Sequence, residues 1–307
     1  MDETDIAICM ILMQDSRTPF RKVADRLGLS VQATHRRIQQ LEDEGVLSGY
    51  RTNLSLTLLN PVVLYVMGTA GAQDVTETIK RLSQDERTYI VLESDRHYLT
   101  IGALLRDIKE MEEYVDFVRR ITDMTAPTLG LANITRTVEG EVRLGSEDDI
   151  ELTSMDYRIV HNLYGDARKP VEKVAEELNL SPATVRRRLD RMIDLGAVEF
   201  SIDWRPSASS STVAQLLIDL KPGANKQTLA GHFLQHYSDR LVAFITFSNL
   251  PDFIFCVAWS KNMRELTTLL DRVADEDQVD RVRSNIVQRE HLFPTWRKSE
   301  LDRLAKK

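Results

Sequence analysis

Apolar positions spaced three and four residues apart predict a compact helical unit at the start of the chain. A first helix is expected from Asp5, with apolar residues at positions 8, 11 and 12. A second follows with its apolar face at positions 20, 23, 24 and 27, with Thr18 as its N-cap and Pro19 as its first residue. Gly28 then stands where a helix commonly ends in a left-handed residue.

A third helix completes this unit. Ser30 is its predicted cap, and Thr34, Ile38 and Leu41 form its inward stripe. Gly45 ends the helix, and residues 46–50 follow as a strand or wing. The order helix, helix, tight turn, helix and extended strand predicts a winged helix-turn-helix unit.

The same unit occurs a second time. Residues 5–47 align with residues 156–198 at one constant offset without a gap, and about 16 of the 43 aligned positions are identical. In the second copy Asn179 replaces Gly28, and Gly196 ends the third helix after a Ser181-Pro182 start. A duplicated protein with two units of each kind is therefore expected.

Each helical unit is followed by a longer pattern of strands and helices. Apolar alternation and helical spacing predict the order β-α-β-β-α-β twice, which is the ferredoxin-like arrangement. The first set is expected at residues 61–67, 74–82, 88–93, 97–105, 108–121 and 129–138, and the second at 212–220, 226–237, 241–247, 253–259, 262–273 and 279–287. The predicted fold class is thus α+β, with two winged helix-turn-helix domains alternating with two ferredoxin-like βαββαβ domains.

Domain boundaries follow from these patterns. We expect helix-turn-helix domains at residues 1–58 and 153–206 and ferredoxin-like domains at 59–140 and 207–296. The acidic stretch 139–151 indicates a solvated linker, placed at 141–152, and the composition of residues 297–307 predicts a charged tail.

Composition narrows the class of protein. The 307 residues carry a net charge of −7, no apolar run long enough to span a bilayer, and no basic signal-peptide region. Two distant cysteines, Cys9 and Cys256, fit a reducing cytoplasm and exclude a disulfide framework. The acidic balance does not exclude a local basic face for nucleic acid.

The third helix of each unit carries the candidate chemistry. A helix that reads DNA places short or hydrogen-bonding side chains at base edges near its N-terminus, with arginines behind them for phosphates. Arg37 and Arg188 lie beside the inward stripe, so they either hold phosphates or brace the fold. The predicted DNA-binding residues are Ser30, Gln32, Ala33, His35, Arg36, Arg37 and Gln39 in the first copy, and Ser181, Ala183, Thr184, Arg186, Arg187 and Arg188 in the second.

The sequence shows no convincing motif for catalysis or metal binding. The chain has no glycine-rich phosphate loop and no nucleophile elbow, so no catalytic residue is predicted. His232 and His236 lie one helical turn apart, which fits an exposed helix face better than a metal site. No cofactor and no metal are expected.

The chain resembles the leucine-responsive/asparagine-responsive (Lrp/AsnC) family of prokaryotic transcription regulators. The resemblance rests on LSVQATHRRIQQLEDEGVLSGY at residues 29–50 and, more loosely, on LSPATVRRRLDRMIDLGAVEFS at 180–201, where Met192 and Ile193 replace the usual Leu-Glu. It implies a tandem, fused, archaeal-type regulator that binds double-stranded DNA, is cytoplasmic, and senses an amino acid or another metabolite. Family members usually carry a glycine before an acid at the turn between the central strands. Here Asp95 and Asp252 keep the acid, but the glycine is missing.

Two alternatives stay open. One branch of the family decarboxylates sirohaem and is expected to carry Arg-Phe-Gly after the wing and His-Asn-Tyr on the central strands. This chain has Ser-Gly-Tyr at 48–50 and Thr-Tyr-Ile at 88–90, with Phe-Ser at 200–201 and Ala-Phe-Ile at 243–245 in the second half; His97 is the residue to watch for a haem-like ligand. The other alternative is an interaction protein that has lost DNA binding, which the acidic net charge favours.

The duplication also predicts an assembly. One chain holds two of each domain, so the ferredoxin-like domains are expected to pair within the chain as a pseudo-dimer, with a homo-oligomer of such chains compatible. The two reading helices would then address successive major grooves. Because these helices differ in sequence, an asymmetric DNA site is expected.

Overall fold

A computed structural model describes residues 1–72, 74–133, 137–138, 141–142 and 151–306. Its first helical unit, which we call head 1, comprises α1 (Glu3–Gln14), α2 (Phe20–Leu27), α3 (Val31–Asp43) and β1 (Leu47–Leu54), followed by the short α4 (Leu56–Leu59). The unit after it, sheet domain 1, comprises β2 (Val62–Thr69), α5 (Val75–Leu82), β3 (Thr88–Ser94), β4 (Tyr98–Leu105), α6 (Met111–Thr122) and β5 (Thr128–Leu131). The two-residue strands β6 (Thr137–Val138) and β7 (Glu141–Val142) pair with each other.

The second half repeats this order. Head 2 comprises α7 (Ser154–Leu163), α8 (Val171–Leu178), α9 (Pro182–Asp194) and β8 (Val198–Trp204). Sheet domain 2 comprises β9 (Thr212–Leu220), α10 (Lys226–His236), β10 (Leu241–Thr246), β11 (Phe253–Ser260), α11 (Met263–Ala274) and β12 (Val279–Leu292). A final helix, α12, spans Trp296–Ala305. The α+β class and the alternation of two kinds of domain agree with the prediction.

The two sheet domains form one continuous eight-stranded sheet, in the order β10-β11-β9-β12-β3-β4-β2-β5. Strand β12 joins them, because its first part pairs with β9 and its last part with β3. The sequence pattern predicts this strand only to residue 287, and the residues beyond it supply most of the pairing with the other domain. The predicted pairing of the domains within one chain is therefore present.

The two edges of this sheet also meet. The amide of Asn133 donates to the Thr246 carbonyl at 2.9 Å, and the amide of Ser248 donates to the Leu131 carbonyl at 2.9 Å. A Cβ on Gly130 would lie 2.4 Å from the ring of Phe247, so only glycine permits this approach. Pairing the edges removes the open hydrogen-bonding groups that make an exposed edge strand prone to aggregation.

Apolar side chains fill both faces of the closed sheet. The inner face joins both domains in one core that includes Tyr65, Phe255 and Phe247. The outer face packs against α5 and α6 in one domain and against α10 and α11 in the other. A buried polar chain crosses the join, with Gln215 Nε2 donating to Ser94 Oγ at 2.7 Å and Thr100 Oγ1 donating to Gln215 Oε1 at 2.5 Å. These partners satisfy groups that would otherwise destabilise the core.

The wing differs from the prediction. Each head contributes a single strand, and β1 and β8 pair antiparallel with each other, with Tyr50 opposite Ile202. Strand β8 packs on α1 of head 1, whereas β1 packs on α7 of head 2. The strands are exchanged because each has an apolar side that fits the other head: Ile202 and Trp204 enter the core of head 1, and Leu54 enters that of head 2.

The chain end also differs from the prediction. The pattern predicts a charged tail at residues 297–307, but α12 begins at Trp296 and packs along α7. Trp296 and Leu301 are buried, and Arg297 pairs with Glu199 at 2.9 Å. Helix α12 has few apolar residues, and many charged residues separate them. The spacing of apolar residues in the sequence therefore does not predict its buried face. The predicted linker 141–152 lies mostly outside the described residues, and the remaining domain boundaries stay predictions.

Candidate nucleic-acid interface

Tight turns place the third helix of each head. Gly28 (φ 65°) and Asn179 (φ 54°) both adopt the left-handed conformation expected at the end of the second helix. Ser30 Oγ then accepts the amide of Ala33 at 3.1 Å, and Ser181 Oγ accepts the amide of Thr184 at 3.1 Å. The two predicted serine caps are therefore structural residues that begin α3 and α9.

The first two helices begin at other residues than the sequence pattern predicts. Helix α1 begins at Glu3, because Asp2 and Asp5 form a reciprocal capping box ahead of it. Helix α2 begins at Phe20 with Pro19 as its N-cap residue, so Thr18 lies one position ahead of the cap. The extended backbone of Pro19 (ψ 136°) excludes it from the helix.

An inward stripe and an outward face divide α3 and α9. Thr34, Ile38 and Leu41 are buried as predicted, and Val185, Leu189 and Met192 are buried in the second copy. The outward face of α3 carries Gln32, Arg36 and Gln39, and that of α9 carries Ala183, Arg186 and Arg187. Both faces are open to a macromolecular partner.

The structure decides between the two roles considered for Arg37 and Arg188. Arg37 Nη1 contacts Asp5 Oδ1 at 2.8 Å and Asp2 Oδ2 at 2.9 Å. Arg188 Nη1 contacts Asp156 Oδ1 at 2.7 Å. Arg37 aligns with Arg188 in the repeat and Asp5 aligns with Asp156, so both arginines brace the third helix against the first. The carboxylate partners were missed by sequence reasoning, although the aspartate at Asp5 and Asp156 is identical in the two copies.

The neighbouring pair of arginines behaves differently. Arg36 and Arg187 also align in the repeat, both are exposed, and neither forms an ion pair within the described part of the chain. Exposed guanidinium groups without a carboxylate partner are suited to phosphate or guanine contacts. These two residues are the strongest candidates for contacts that both heads share.

The remaining candidates distinguish one head from the other. His35 stacks edge-to-face on Phe20 with ring centroids 4.7 Å apart, while its counterpart Arg186 lies 3.5 Å from Glu172. Thr184 shares a hydroxyl contact with Ser181 at 2.9 Å, and Gln39 Nε2 donates to Asp43 at 3.2 Å. The predicted residues are thus brought together on two faces of related geometry and different chemistry.

Two cavities near the sheet domains are candidate binding sites for small molecules. The larger, about 700 Å³, lies at the turn between β3 and β4 and is lined by Asp74, Thr76, Arg96 and His97 and by Gln288 of the other domain. The turn's acid, Asp95, does not line it, because its carboxylate accepts the amide of Ile286 at 2.8 Å. Asp95 therefore anchors β12 across the join.

The second cavity tests the decarboxylase alternative. It measures about 280 Å³ and brings Arg51 of β1 together with Tyr89 of β3, so the two places where the enzyme's motifs are expected do converge. The Tyr89 hydroxyl donates to that of Tyr65 at 2.5 Å, and burial raises the pKa of Tyr65 to about 12. This volume lies below the roughly 300–1,000 Å³ of pockets for drug-sized ligands. A neighbouring cavity of about 450 Å³ shares Leu292 and Phe293 with it and is also lined by His291.

The histidine pair has its own partners. His232 Nε2 lies 3.0 Å from Glu276 Oε1, and the rings of His232 and His236 stack 4.1 Å apart. Among the described residues no group of three His, Cys, Asp or Glu side chains could hold a metal ion. None of the helices in that part of the chain is both long and apolar enough to cross a bilayer.

Comparison with known proteins identifies the type of the two heads. The sequence matches the AsnC-type helix-turn-helix domain twice, at residues 1–42 and 152–193. It is similar to the HTH-type transcriptional regulator LrpA of Pyrococcus horikoshii (27% identity over 117 residues, 38% of this chain and 83% of that protein). It is also similar to the HTH-type transcriptional regulator AldR of Mycobacterium tuberculosis (27% over 122 residues, 38% and 67%).

Solved structures also match the fold along the whole chain. The sirohaem decarboxylase NirDL superimposes with a TM-score of 0.59 at 15% identity, covering 99% of each chain. At this identity the match describes the shared fold alone. The two helix-turn-helix matches and the similar regulators agree: the chain carries the AsnC-type helix-turn-helix domain twice and is similar to HTH-type transcriptional regulators.

Proposed function

We propose that this regulator binds double-stranded DNA sequence-specifically as a single-chain pseudo-dimer, with α3 and α9 as its two reading helices. The observation that carries the proposal is the pair Arg36 and Arg187, equivalent in the repeat, exposed and without an ion pair in the described residues. Phosphate contacts by such residues supply affinity and position the protein on the duplex.

Specificity in this proposal comes from the positions where the heads differ. Gln32 and His35 in head 1 are replaced by Ala183 and Arg186 in head 2. Amide and guanidinium groups favour different base edges in the major groove. The two half-sites of the preferred DNA are therefore expected to differ in sequence.

The first experiment selects binding sites from a random duplex library and then measures affinity across a salt series. We expect one asymmetric site and a steep salt dependence. Recovery of perfect palindromes alone would contradict the asymmetric proposal. A chain that shows no salt-sensitive retention on DNA would instead act as an interaction protein.

Substitutions separate the two kinds of interaction with DNA. Arg36→Ala or Arg187→Ala should weaken binding to all sequences and lower the salt slope by about 1, because each substitution removes one phosphate-binding group. Gln32→Ala should relax base preference at one position by about 1–3 kcal/mol. Arg120→Ala, an exposed arginine on α6 with no ion pair within the described residues, is the matched control and should change neither.

A small-molecule effector fits the cavity of about 700 Å³ lined by Arg96 and His97. An amino acid would present its carboxylate to Arg96, whose charge suits that group. Calorimetry with the individual amino acids tests this proposal, and Arg96→Gln should abolish any binding that is found. An unchanged heat of binding in the Arg96→Gln variant would mean that the effector binds at another site.

The second candidate function is sirohaem decarboxylation, favoured by the fold match along the whole chain. The cavity of about 280 Å³ counts against it, as does the absence of histidine among the described residues that line this cavity. The purified protein should show no spectral change on titration with sirohaem, and mass spectrometry should detect no loss of carbon dioxide from it. Decarboxylated product above the rate of a protein-free control would establish the enzyme.

A further inference from the structure

The loops that precede α2 and α8 meet through two reciprocal arginine contacts. Arg17 Nη1 of head 1 donates to the carbonyl of Ala167 at 2.5 Å and to that of Lys169 at 3.5 Å. Arg168 Nη1 of head 2 donates to the carbonyl of Ser16 at 2.6 Å and to that of Thr18 at 3.3 Å.

These contacts obey the symmetry of the duplication. Arg17 aligns with Arg168, Ser16 with Ala167, and Thr18 with Lys169. Each arginine thus reaches the same two carbonyls in the other head, which is the property of an isologous interface. We call Arg17, Arg168 and the four carbonyls they contact the arginine clasp.

The surroundings hold both guanidinium groups in place. Arg17 and Arg168 are half-buried, and Ser16 and Ala167 are fully buried. The Arg168 guanidinium lies 4.1 Å from the ring centroid of Phe20, and that of Arg17 lies 5.5 Å from the ring centroid of Phe200. The planar fork of arginine can stack and donate at once, which lysine cannot do.

The clasp supplies a second point of attachment between the heads. The first is the two-stranded ribbon of β1 and β8. The ribbon packs on α1 of head 1 and on α7 of head 2. The clasp adjoins it, because the backbone amide of Ser16 donates to the Phe200 carbonyl at 3.3 Å and that of Ala167 donates to the Tyr50 carbonyl at 3.1 Å. The ribbon and the clasp together fix the relative rotation of the heads.

In head 1 the clasp also reaches the reading helix. Arg168 stacks on Phe20, and Phe20 stacks on His35, which lies on the outward face of α3. In head 2 the counterpart of Phe20 is Val171, which has no ring. The aromatic path from the clasp to a reading helix is therefore present in head 1, whereas head 2 has no aromatic residue at the equivalent position.

We infer that the arginine clasp sets the separation and orientation of α3 and α9, and so determines which half-site spacing the protein accepts. Arg17 and Arg168 are positioning residues in this role, and Arg168 additionally orients His35 through Phe20. The inference about DNA rests on the proposed function, whereas the inference about head geometry does not.

The geometry is tested first without DNA. Spin labels are placed at Lys22→Cys and Lys173→Cys, two exposed positions that align in the repeat, while Cys9 and Cys256 are buried and shielded from the label. The inter-label distance distribution should be narrow in the parent and clearly broader in Arg17→Met/Arg168→Met. Arg120→Met/Arg264→Met removes the same charge from exposed arginines and should leave the distribution narrow.

Folding of the clasp variant is checked by thermal unfolding. If the methionine variant does not fold, Arg17→Lys/Arg168→Lys keeps the charge without the fork and should still broaden the distribution. A distribution as narrow as the parent's in the folded variant would overturn the clasp as a positioning device.

The consequence for DNA is tested with sites whose half-site spacing is changed by one base pair at a time. The parent should discriminate between the best and the next spacing by about tenfold or more, because two linked binding units gain affinity only when the geometry matches. The clasp variant should lose most of this discrimination. Arg168→Met alone should also alter base preference in the half-site of head 1, while Arg17→Met should leave that of head 2 unchanged.

The outcomes separate the two proposals. A parent protein that binds no DNA contradicts the proposed function, while the label distances still decide the clasp. If the parent binds DNA and the clasp variant keeps the same spacing preference, only the proposed role of the clasp is contradicted.

Discussion

The two heads share one fold but are attached to the sheet domains in different ways. Head 1 docks directly: Glu3 at the start of α1 pairs with Lys261 at 2.7 Å and with Arg240 at 3.4 Å on sheet domain 2. Head 2 docks through α12, which packs along α7 and inserts Trp296 against sheet domain 1. Duplicated sequences thus need not keep duplicated interfaces, and an added helix replaces one of them.

Two tryptophans mark this difference. Trp259 belongs to β11 of sheet domain 2 and is stacked by Arg240, with the guanidinium 5.4 Å from the ring centroid. Trp296 comes from α12 and is stacked by Arg106 at 4.8 Å. The Trp296 indole donates to the Leu104 carbonyl at 2.8 Å, whereas the buried Trp259 indole nitrogen has no partner among the described residues. Similar packing is therefore reached with different hydrogen bonding.

The largest expected effect is the removal of the α12 anchor. Trp296 is 5% exposed, and Trp296→Ala should lower the free energy of unfolding by about 3–5 kcal/mol. Hydrogen exchange should increase in α7 more than in α1, because only α7 is covered by α12. Urea denaturation and exchange measured by mass spectrometry check this.

Phenylalanine variants sharpen that comparison. Trp296→Phe should cost about 1 kcal/mol more than Trp259→Phe, because only the first removes a formed hydrogen bond. Equal destabilisation by the two variants, or equal exchange in α1 and α7 after Trp296→Ala, would mean that the heads are attached alike.

A smaller effect is expected from the braces inside the heads. Asp156 is 1% exposed at its side chain, whereas Asp5 is 13% and Asp2 is 43% exposed. Arg188→Met leaves a buried carboxylate with the more distant Arg191 as its one cation among the described residues, and should cost about 3 kcal/mol. Arg37→Met leaves carboxylates that water can reach, and should cost about 1 kcal/mol. Urea denaturation of both variants measures the difference, and a larger destabilisation by Arg37→Met would reverse the ranking.

The smallest expected effect is the response of head 2 to acid. Burial raises the pKa of Asp156, but hydrogen bonds from the amide of Thr153 and from Arg188 outweigh it and hold the pKa below its ordinary value of 3.8. A carboxylate with a lowered folded-state pKa stabilises the fold above the unfolded pKa, and this contribution is lost as pH falls through the folded value. Asp156→Asn should therefore flatten the decline of stability below about pH 4. Thermal unfolding across a pH series measures this decline, and a decline as steep as the parent's would exclude Asp156 as its source.

Local signals made the heads predictable. Gly28, Asn179 and the two serine caps lie next to the turns they form, and the apolar stripes of α3 and α9 repeat at helical spacing. The double role considered for Arg37 could not be decided in the same way, because its partner Asp5 is 32 residues distant along the chain. Spacing shows which face a residue occupies, whereas a partner on another helix is decided by packing.

The sequence by itself determined the duplication, the order of the elements within the heads and sheet domains, and the buried stripes, because the patterns that reveal them lie in residues close together along the chain. Only the tertiary structure decided that β1 and β8 exchange heads, that β12 joins the two sheet domains, that α12 is a helix, and that Arg17 and Arg168 meet. All four depend on surfaces distant in sequence, and the free energy of burying them is realised only once both halves have folded.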